Sequence, residues 1–324
     1  MTKHSFFRKK PGVVGLLSAA GTVATIASIA GLAGQLSWVL DLASHFRVQY
    51  FVTLVVVATA LVATRSYRLA GLFSAMALLN LVLVLQLYMG TPSEPGSQGR
   101  PLSAMLINVH SSNTDHAAVL AGIKRHDPDF VLIQEVNQRW SEALNAIKDR
   151  YPHVVSKPRE DNFGMVLLSK DAPLDSNILD VGNIGVPTIL AKFALDGRAF
   201  FILGTHTLPP VGSEYARMRD RHLAEIPRVT AGLDAPVVVL GDLNTSPWSY
   251  HFRKLIRESG LRDASRGHGV QTTWPTHLFP MLIPIDHCLY SSGIKILDKE
   301  IGGRNGSDHY PVIVDFSLLG PQPD

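Results

Sequence analysis

The pattern of apolar and polar positions divides the chain into two unlike parts. Residues 12–34 carry no charged side chain over 23 positions, which at about 1.5 Å per residue is roughly 35 Å of helix, enough to cross a bilayer. Two further uncharged segments follow, at about 48–64 and 69–89, and the first of these is near the lower length limit for a span. The pattern predicts three transmembrane helices within a membrane domain at 1–90.

Basic residues around these segments predict their orientation. Four Lys or Arg precede the first segment, Arg47 lies between the first and second, and Arg65 and Arg68 lie between the second and third. Because cytoplasmic loops carry the excess of basic residues, we expect the amino terminus in the cytoplasm and everything after Met89 outside it. A cleaved signal peptide is the alternative for the first segment, but its apolar run exceeds the usual core of about 7–15 residues.

The second part of the chain alternates short apolar runs with helical patterns. Residues 91–101, TPSEPGSQGRP, have the composition of an exposed linker. Seven apolar runs predict strands, at 103–109, 130–136, 164–169, 199–206, 236–242, 285–291 and 310–316. Four segments predict helices, at 115–126, 139–149, 213–231 and 249–259. Nearly continuous hydrophobic strands need a layer on each face, so the domain at 102–324 is predicted to be a four-layer α/β sandwich of two packed mixed sheets.

Charge is distributed unevenly between the two parts. Residues 1–100 contain 8 basic and 2 acidic side chains, a net charge of +6, so the remaining 22 basic and 25 acidic side chains give −3. The pI near 8.9 therefore belongs to the membrane part and does not indicate a nucleic-acid-binding surface. The densest basic cluster, YARMRDRH at 215–222, is typical of a solvated helix face. The single cysteine, Cys288, excludes an intramolecular disulfide.

Polar side chains collect at the carboxyl ends of the predicted strands, where binding sites form in such sheets. They are Asn108, Glu135, His206, Asp242 and Asn244, with Asp286 and Asp308 near the two last strands. Taken singly, each has an ordinary explanation as a cap, a turn residue or a hydrogen-bonded core histidine. Taken together, the four acids lie beside apolar strands and have no adjacent Lys or Arg, so their negative charge must be balanced by another group, most simply a divalent cation. Oxygen and imidazole donors favour Mg²⁺, with Mn²⁺ as the alternative.

These motifs resemble those of the exonuclease-endonuclease-phosphatase superfamily, which includes deoxyribonuclease, exonuclease III and neutral sphingomyelinases. The resemblance covers about 103–317 in family order and rests on LINV, LIQE, FGMVLLSK, GTH, GDLN, PIDH and GSDH. It implies the two-sheet sandwich fold and a divalent-metal-dependent hydrolase of phosphate esters. It also implies that Glu135, assisted by Asn108 and Asp308, holds the metal.

The resemblance implies catalytic roles for the other motif residues. Asp242 is expected to orient or deprotonate the attacking water, and Asn244 to donate its amide to a phosphate oxygen. His309 is expected to contact the phosphate or act as the base, with Asp286 orienting its ring, and His206 to add a hydrogen bond to the transition state. The choice of Asp242 or His309 as the base stays open, as do one-metal and two-metal mechanisms.

The expected activity is that of a membrane-anchored phosphodiesterase. Its substrate could be a lipid head group, a nucleotide or a nucleic acid, and the net charge of −3 weakens the nuclease alternative. The Pro-containing apolar segments 208–215 and 276–285 are expected to line the substrate entrance, lie on the membrane or pack in the domain. A catalytically silent membrane-anchored binding protein is the alternative from another class, which the intact set of motif acids disfavours. The helices imply a lipid bilayer as partner, and no protein partner is deducible.

Overall fold

The computed structural model describes residues 12–90 and 99–320. Its chain divides into two compact units, residues 1–85 and 86–324. The four basic residues before the first span, and most of the linker predicted at 91–101, lie outside the described residues. Each unit is described by itself.

The first unit consists of helices that are long and apolar enough to cross a membrane. The helices are α1 (Val13–Ala30), α2 (Trp38–Leu42), α3 (Arg47–Ala63) and α4 (Tyr67–Leu85). By length and composition they give three candidate spans, Val13–Ala33, Trp38–Ala63 and Tyr67–Leu85. The second span is longer than the sequence predicts, because α2 and a 3-10 turn at Ala43–Phe46 precede α3 without leaving a long loop.

Buried polar side chains connect the helices of this unit. Arg47 is buried at the start of α3, and its guanidinium donates to the backbone carbonyl of Ser28 (2.7 Å) and to Oδ1 of Asn80 (3.3 Å). Asn80 in turn donates to the hydroxyl of Ser28 at 2.8 Å. These bonds join α1, α3 and α4, and they satisfy groups that hydrocarbon could not solvate.

The second unit contains two six-stranded sheets. The strands are β1 (Leu102–Asn108), β2 (Phe130–Gln134), β3 (His153–Lys157), β4 (Met165–Ser169), β5 (Asp175–Asp180), β6 (Pro187–Leu195), β7 (Arg198–Thr205), β8 (Val237–Asp242), β9 (Arg262–Asp263), β10 (Asp286–Tyr290), β11 (Ile294–Ile301) and β12 (Val312–Leu318). The first sheet has the order β11-β12-β1-β2-β4-β3 and the second β5-β6-β7-β8-β10-β9. Within each sheet one pair is parallel, β1 with β2 and β7 with β8. Both sheets are therefore mixed.

Helices cover the outer face of each sheet. They are α5 (His116–His126), α6 (Gln138–Ala143), α7 (Ser213–Ala231) and α8 (Tyr250–Ser259). The inner faces of both sheets share one apolar core, which includes Leu132 and Leu240. A second core lies between the first sheet and α5 and α6, and a third between the second sheet and α7 and α8. This four-layer arrangement confirms the predicted fold.

All four predicted helices and all seven predicted strands are present, with bounds shifted by a few residues. Asp115 and Ser249 cap α5 and α8 with their side chains, as residues of these types commonly do. The prediction was incomplete in that it left out β3, β5, β6, β9 and β11. The helix predicted at 139–149 is also shorter, because α6 changes into a 3-10 turn at Leu144.

Candidate active site

The predicted site residues lie at one end of the two-sheet sandwich. Asn108 ends β1 and Asp242 ends β8, while Glu135 and His206 directly follow β2 and β7. Since β1 is parallel to β2 and β7 to β8, the carboxyl ends of each pair meet at one edge. Asp286 opens β10, which runs antiparallel to β8, and therefore reaches the same edge.

Asn108 connects the two sheets at this edge. Its amide nitrogen donates to Oε1 of Glu135 at 3.0 Å and to Oδ2 of Asp242 at 3.3 Å. Its amide oxygen accepts the backbone N–H of His110 at 3.0 Å. Asn108 thus brings together an acid predicted to hold the metal and an acid predicted to activate water.

His309 lies between two buried aspartates. Its Nδ1 atom is 2.8 Å from Oδ2 of Asp286, and its Nε2 atom is 3.7 Å from Oδ2 of Asp242. Asp242, Asp286 and His309 are all buried, and each offers a ligand atom within 4.8 Å of the other two. The backbone N–H of His309 donates to the hydroxyl of Ser307, which donates to the carbonyl of Asn108 (2.7 Å). These bonds hold the GSDH segment against the end of β1.

Burial and mutual charge shift the pKa values of this triad. Burial, and then the charge of Asp286, raise the pKa of Asp242 to about 8, although His309 opposes the shift. Burial disfavours the charged form of His309, but the Asp286 carboxylate outweighs it and raises the pKa of the imidazole to about 10. Burial acts against the charge of Asp286 as well, yet the adjacent imidazole lowers its pKa overall. At neutral pH the triad therefore holds an imidazolium paired with Asp286, beside a carboxyl of Asp242 that is close to its pKa.

His206 and Asn244 flank Asp242. The Nε2 atom of His206 lies 3.6 Å from Oδ2 of Asp242, and burial lowers the pKa of this histidine. The backbone N–H of Asn244 donates to Oδ1 of Asp242 at 2.9 Å, and its side-chain amide donates to the carbonyl of Thr207 at 2.8 Å. One hydrogen of the amide predicted to contact phosphate is thus already used within the protein.

Glu135 and Asp308 face each other across His110. The Nδ1 atom of His110 is 4.0 Å from Oε2 of Glu135 and 3.2 Å from Oδ1 of Asp308. Glu135 also accepts the backbone N–H of Ser111 at 3.1 Å, and Oδ2 of Asp308 accepts the indole N–H of Trp274 at 2.9 Å. The two carboxylates therefore share one neighbourhood beside the triad. All eight predicted site residues lie at this end of the sandwich.

Three residues of the site have left-handed backbone conformations. The φ angles of His110, Glu135 and Asn244 are 55°, 61° and 46°. Non-glycine residues adopt such angles rarely and at a cost of about 1–3 kcal/mol, and they cluster where function fixes the geometry. The turn at Glu135 places its carboxylate against the amide of Asn108, and the turn at Asn244 places its backbone N–H against Asp242.

Several contributing residues were missed at the level of sequence. Gln134 accepts the backbone N–H of Asp242 at 3.0 Å and donates to the carbonyl of Thr205 at 2.7 Å, so it joins the two sheets directly behind the site. The signal for Gln134 was its place as one polar residue within the apolar run FVLIQ. Arg219 is fully buried and donates to the carbonyl of Asn244 at 3.3 Å. The interpretation of 215–222 as a solvated face is therefore wrong for Arg219 and for His222, because α7 turns both side chains inward.

A two-sheet sandwich with acids, amides and imidazoles at the carboxyl ends of its strands is the architecture of metal-dependent hydrolases of phosphate esters. The chain belongs to the Endonuclease/Exonuclease/phosphatase family, whose sequence profile matches residues 105–309. The predictions of the superfamily, the fold and the class of enzyme are confirmed. No curated protein sequence matches the chain.

Solved structures share the fold at low sequence identity. TDP2 from D. rerio, complexed with a single-strand DNA product, has a TM-score of 0.59 at 16% identity and covers 67% of this chain and 99% of its own. The human Nocturnin catalytic domain with bound sulfate has a TM-score of 0.56 at 19% identity, covering 69% and 97%. An endonuclease/exonuclease/phosphatase protein from Bacteroides vulgatus has a TM-score of 0.55 at 22% identity, covering 68% and 100%.

Proposed function

We propose that this protein is a membrane-anchored phosphodiesterase that hydrolyses its substrate by in-line attack of a water molecule, assisted by a divalent metal. The observation that carries the proposal is the position of Asn108, which bonds both Glu135 and Asp242. This contact puts a group suited to hold a cation next to a group suited to activate water, as metal-assisted hydrolysis requires.

Glu135, Asn108 and Asp308 fit a divalent ion. Within the described residues, the Nδ1 atom of His110 lies within 4.0 Å of a carboxylate oxygen of both Glu135 and Asp308, and no Lys or Arg pairs with either acid. Oδ1 of Asp308 is buried and accepts no hydrogen bond from the described residues, although His110 Nδ1 is 3.2 Å away. Two carboxylates with an open acceptor are a donor set for Mg²⁺ or Mn²⁺. The bound ion would polarise a phosphoryl oxygen and stabilise the leaving oxygen.

Asp242 is the base in this proposal, and His309 is the charged partner. A carboxyl with a pKa raised by burial accepts a proton more readily than an ordinary aspartate, and its raised pKa is near neutral pH. His309, held as imidazolium by Asp286, places positive charge toward the phosphate and stabilises the charge that develops there. Asn244 and His206 flank the same carboxylate and supply further donors to the phosphoryl oxygens.

The substrate class follows from charge and from the anchor. The part of the chain after residue 100 has a net charge of −3, whereas binding along a polynucleotide needs many Lys and Arg contacts. Val211 and Phe279, in the Pro-containing apolar segments 208–215 and 276–285, are 75% and 80% exposed. We therefore favour a small or membrane-bound phosphodiester, with the catalytic domain on the extracytoplasmic side and the amino terminus in the cytoplasm.

The nuclease alternative is supported by the family description and by the DNA product bound to the D. rerio relative. The two activities separate on a substrate panel. Phospholipids, nucleotides with a diester bond, plasmid DNA and RNA are offered in parallel to the full chain in detergent, with a divalent metal and with EDTA.

Asp242→Asn tests the site itself on a chromogenic phosphodiester. We expect hydrolysis that EDTA abolishes and that Asp242→Asn lowers by about a hundredfold or more. Asp196→Asn is the matched control, because Asp196 is an exposed turn residue with φ of 50° and asparagine accepts that conformation. Equal rates for Asp242→Asn and Asp196→Asn would exclude Asp242 from catalysis.

A further inference from the structure

His110 has a position that the proposed metal site does not yet explain. Its imidazole Nδ1 atom is 3.2 Å from the open acceptor of Asp308 and 4.0 Å from Oε2 of Glu135. The other two imidazoles nearby, His206 and His309, instead lie beside Asp242. Of these three histidines, His110 is the one whose ring nitrogen lies within 4.0 Å of both acids proposed to hold the cation.

The backbone around His110 is built to hold the imidazole there. Its φ of 55° is left-handed, and its N–H donates to the Asn108 amide oxygen at 3.0 Å. The next N–H, of Ser111, donates to Oε2 of Glu135 at 3.1 Å. The turn at 108–111 therefore wraps around Glu135 and directs the His110 side chain toward both carboxylates. That side chain is 41% exposed, so an ion can reach it from solvent.

The distances from His110 Nδ1 to the carboxylate oxygens of Asp308 and Glu135 are those expected between ligands of one metal ion. Adjacent ligands of an octahedral cation with bonds of about 2.1 Å lie about 3 Å apart, and opposite ligands about 4.2 Å apart. The distances of 3.2 and 4.0 Å from Nδ1 to the two carboxylate oxygens fall within this range. A neutral imidazole has a lone pair to offer, whereas a Lys or Arg at the same place could only have been a counter-ion.

We propose that His110 is a ligand of the metal held by Glu135 and Asp308, and that it makes the site prefer Mn²⁺ or another imidazole-binding transition metal over Mg²⁺. The inference rests on the proposed function, because it assumes that these two acids hold the catalytic cation. Magnesium takes oxygen ligands and retains water. Imidazole nitrogen suits the later transition metals best, and Mn²⁺, which also binds carboxylates, accepts it more readily than Mg²⁺ does. One nitrogen donor among carboxylates therefore changes the order of metal affinities.

Metal binding, measured without turnover, tests the proposal. The full chain in detergent is freed of metal and titrated with Mn²⁺, with the free ion followed by electron paramagnetic resonance and Mg²⁺ added as competitor. His110→Asn removes the imidazole but tolerates the left-handed backbone. We expect this variant to lose roughly tenfold or more in Mn²⁺ affinity, with a change in Mg²⁺ affinity of less than about threefold. Spin-echo modulation from ¹⁴N on bound Mn²⁺ should weaken in parallel.

Two comparison variants make each outcome decisive. His126→Ala removes another imidazole that lies 3.3 Å from an acid, Glu300, and should bind Mn²⁺ as the wild type does. Glu135→Gln should abolish tight binding. If Glu135→Gln loses Mn²⁺ while His110→Asn binds it with wild-type affinity and unchanged ¹⁴N modulation, the role of His110 is refuted and the metal site stands. If neither variant changes Mn²⁺ binding, the proposed site and the inference both fail.

Discussion

Asp242 and Asp286 lie directly opposite each other in the antiparallel pair formed by β8 and β10. Two carboxylates in this arrangement, both buried, repel each other, and His309 reduces the repulsion through its 2.8 Å contact with Asp286. One aspartate thereby becomes the partner of an imidazolium, while the other keeps a raised pKa. The two aspartates thus differ in pKa because His309 lies closer to Asp286 than to Asp242.

Replacing Asp286 with asparagine should change the pH dependence of the reaction. The Asp286 carboxylate offsets the burial of His309 and raises the pKa of the imidazole to about 10, so the wild type keeps imidazolium throughout the neutral range. In Asp286→Asn that pKa falls, and His309 loses its proton at lower pH. We expect kcat/KM to drop by about a hundredfold at pH 8 and to recover partly toward pH 6.

Profiles of kcat/KM from pH 5 to 10 on a chromogenic phosphodiester check this prediction. Asp196→Asn again serves as the control for loss of one carboxylate. An alkaline limb that stays at the wild-type position in Asp286→Asn would contradict the assignment of His309 as the charged group.

The raised pKa of Asp242 should cost stability in metal-free protein as pH rises. Its folded pKa of about 8 exceeds the unfolded value of 3.8, so between these limits the folded state binds more protons than the unfolded state. The free energy of unfolding therefore decreases with rising pH across this window. His309, whose folded pKa also lies above its unfolded value of 6.5, contributes stability that is lost between about 6.5 and 10.

Thermal unfolding in EDTA at pH 5, 6, 7 and 8 isolates the contribution of Asp242. The fall in midpoint from pH 5 to pH 8 should be smaller in Asp242→Asn than in the wild type, because asparagine has no proton to lose. Parallel curves for the two proteins would show that Asp242 does not have a raised pKa.

The fold could be predicted from sequence where strands are buried on both faces. The runs that became β1, β2, β7 and β8 are nearly continuous hydrophobics, and they form the centres of the two sheets. β5 was not predictable in this way, because it lies at a sheet edge and its residues are mostly exposed and polar, DSNILD. β6 is largely buried, but it opens with a proline and contains Lys192 in its interior.

The site could be predicted only as far as its residues adjoin strands. Glu135 and Asp242 stand at strand ends, so parallel pairing alone brings them to one edge. The position of His110 depends on a left-handed turn, and that of Arg219 on which face of α7 points inward. Neither feature follows from hydrophobic periodicity.

Gln134 should support both the fold and the reaction. Gln134→Ala leaves the N–H of Asp242 and the carbonyl of Thr205 without their partners inside the protein, and each such group costs about 1–3 kcal/mol. We expect a lower unfolding midpoint and a lower kcat, since Asp242 is no longer fixed. Gln138→Ala is the control, because Gln138 is exposed and contacts Glu142 on the surface. Wild-type stability in Gln134→Ala would contradict a bridging role.

Two glycines should respond in opposite ways to alanine. A Cβ at Gly241 would lie 1.8 Å from the carbonyl oxygen of Thr205, so Gly241→Ala must displace the end of β8 and Asp242 with it. We expect a loss of about 1–3 kcal/mol or more, together with reduced activity. Gly122 lies in α5 with no atom within 4 Å of such a Cβ, and Gly122→Ala should stabilise the protein by about 0.5–1 kcal/mol. The unfolding midpoints of both variants test these two expectations. A wild-type midpoint for Gly241→Ala would contradict the close approach of β7 and β8.

The orientation proposed for the membrane unit can be tested with introduced cysteines. The natural Cys288 is fully buried, and burial raises the pKa of its thiol to about 12, so it should not react with a maleimide. Ser176→Cys places an exposed thiol on β5 of the second unit, and Thr64→Cys places one between the second and third candidate spans. A membrane-impermeant maleimide should label Ser176→Cys in intact cells and Thr64→Cys only after permeabilisation, because the basic residues Arg65 and Arg68 favour a cytoplasmic loop. The unmodified chain, with Cys288 alone, is the control and should stay unlabelled in both conditions. The reverse pattern would place the catalytic domain in the cytoplasm and exclude extracytoplasmic substrates.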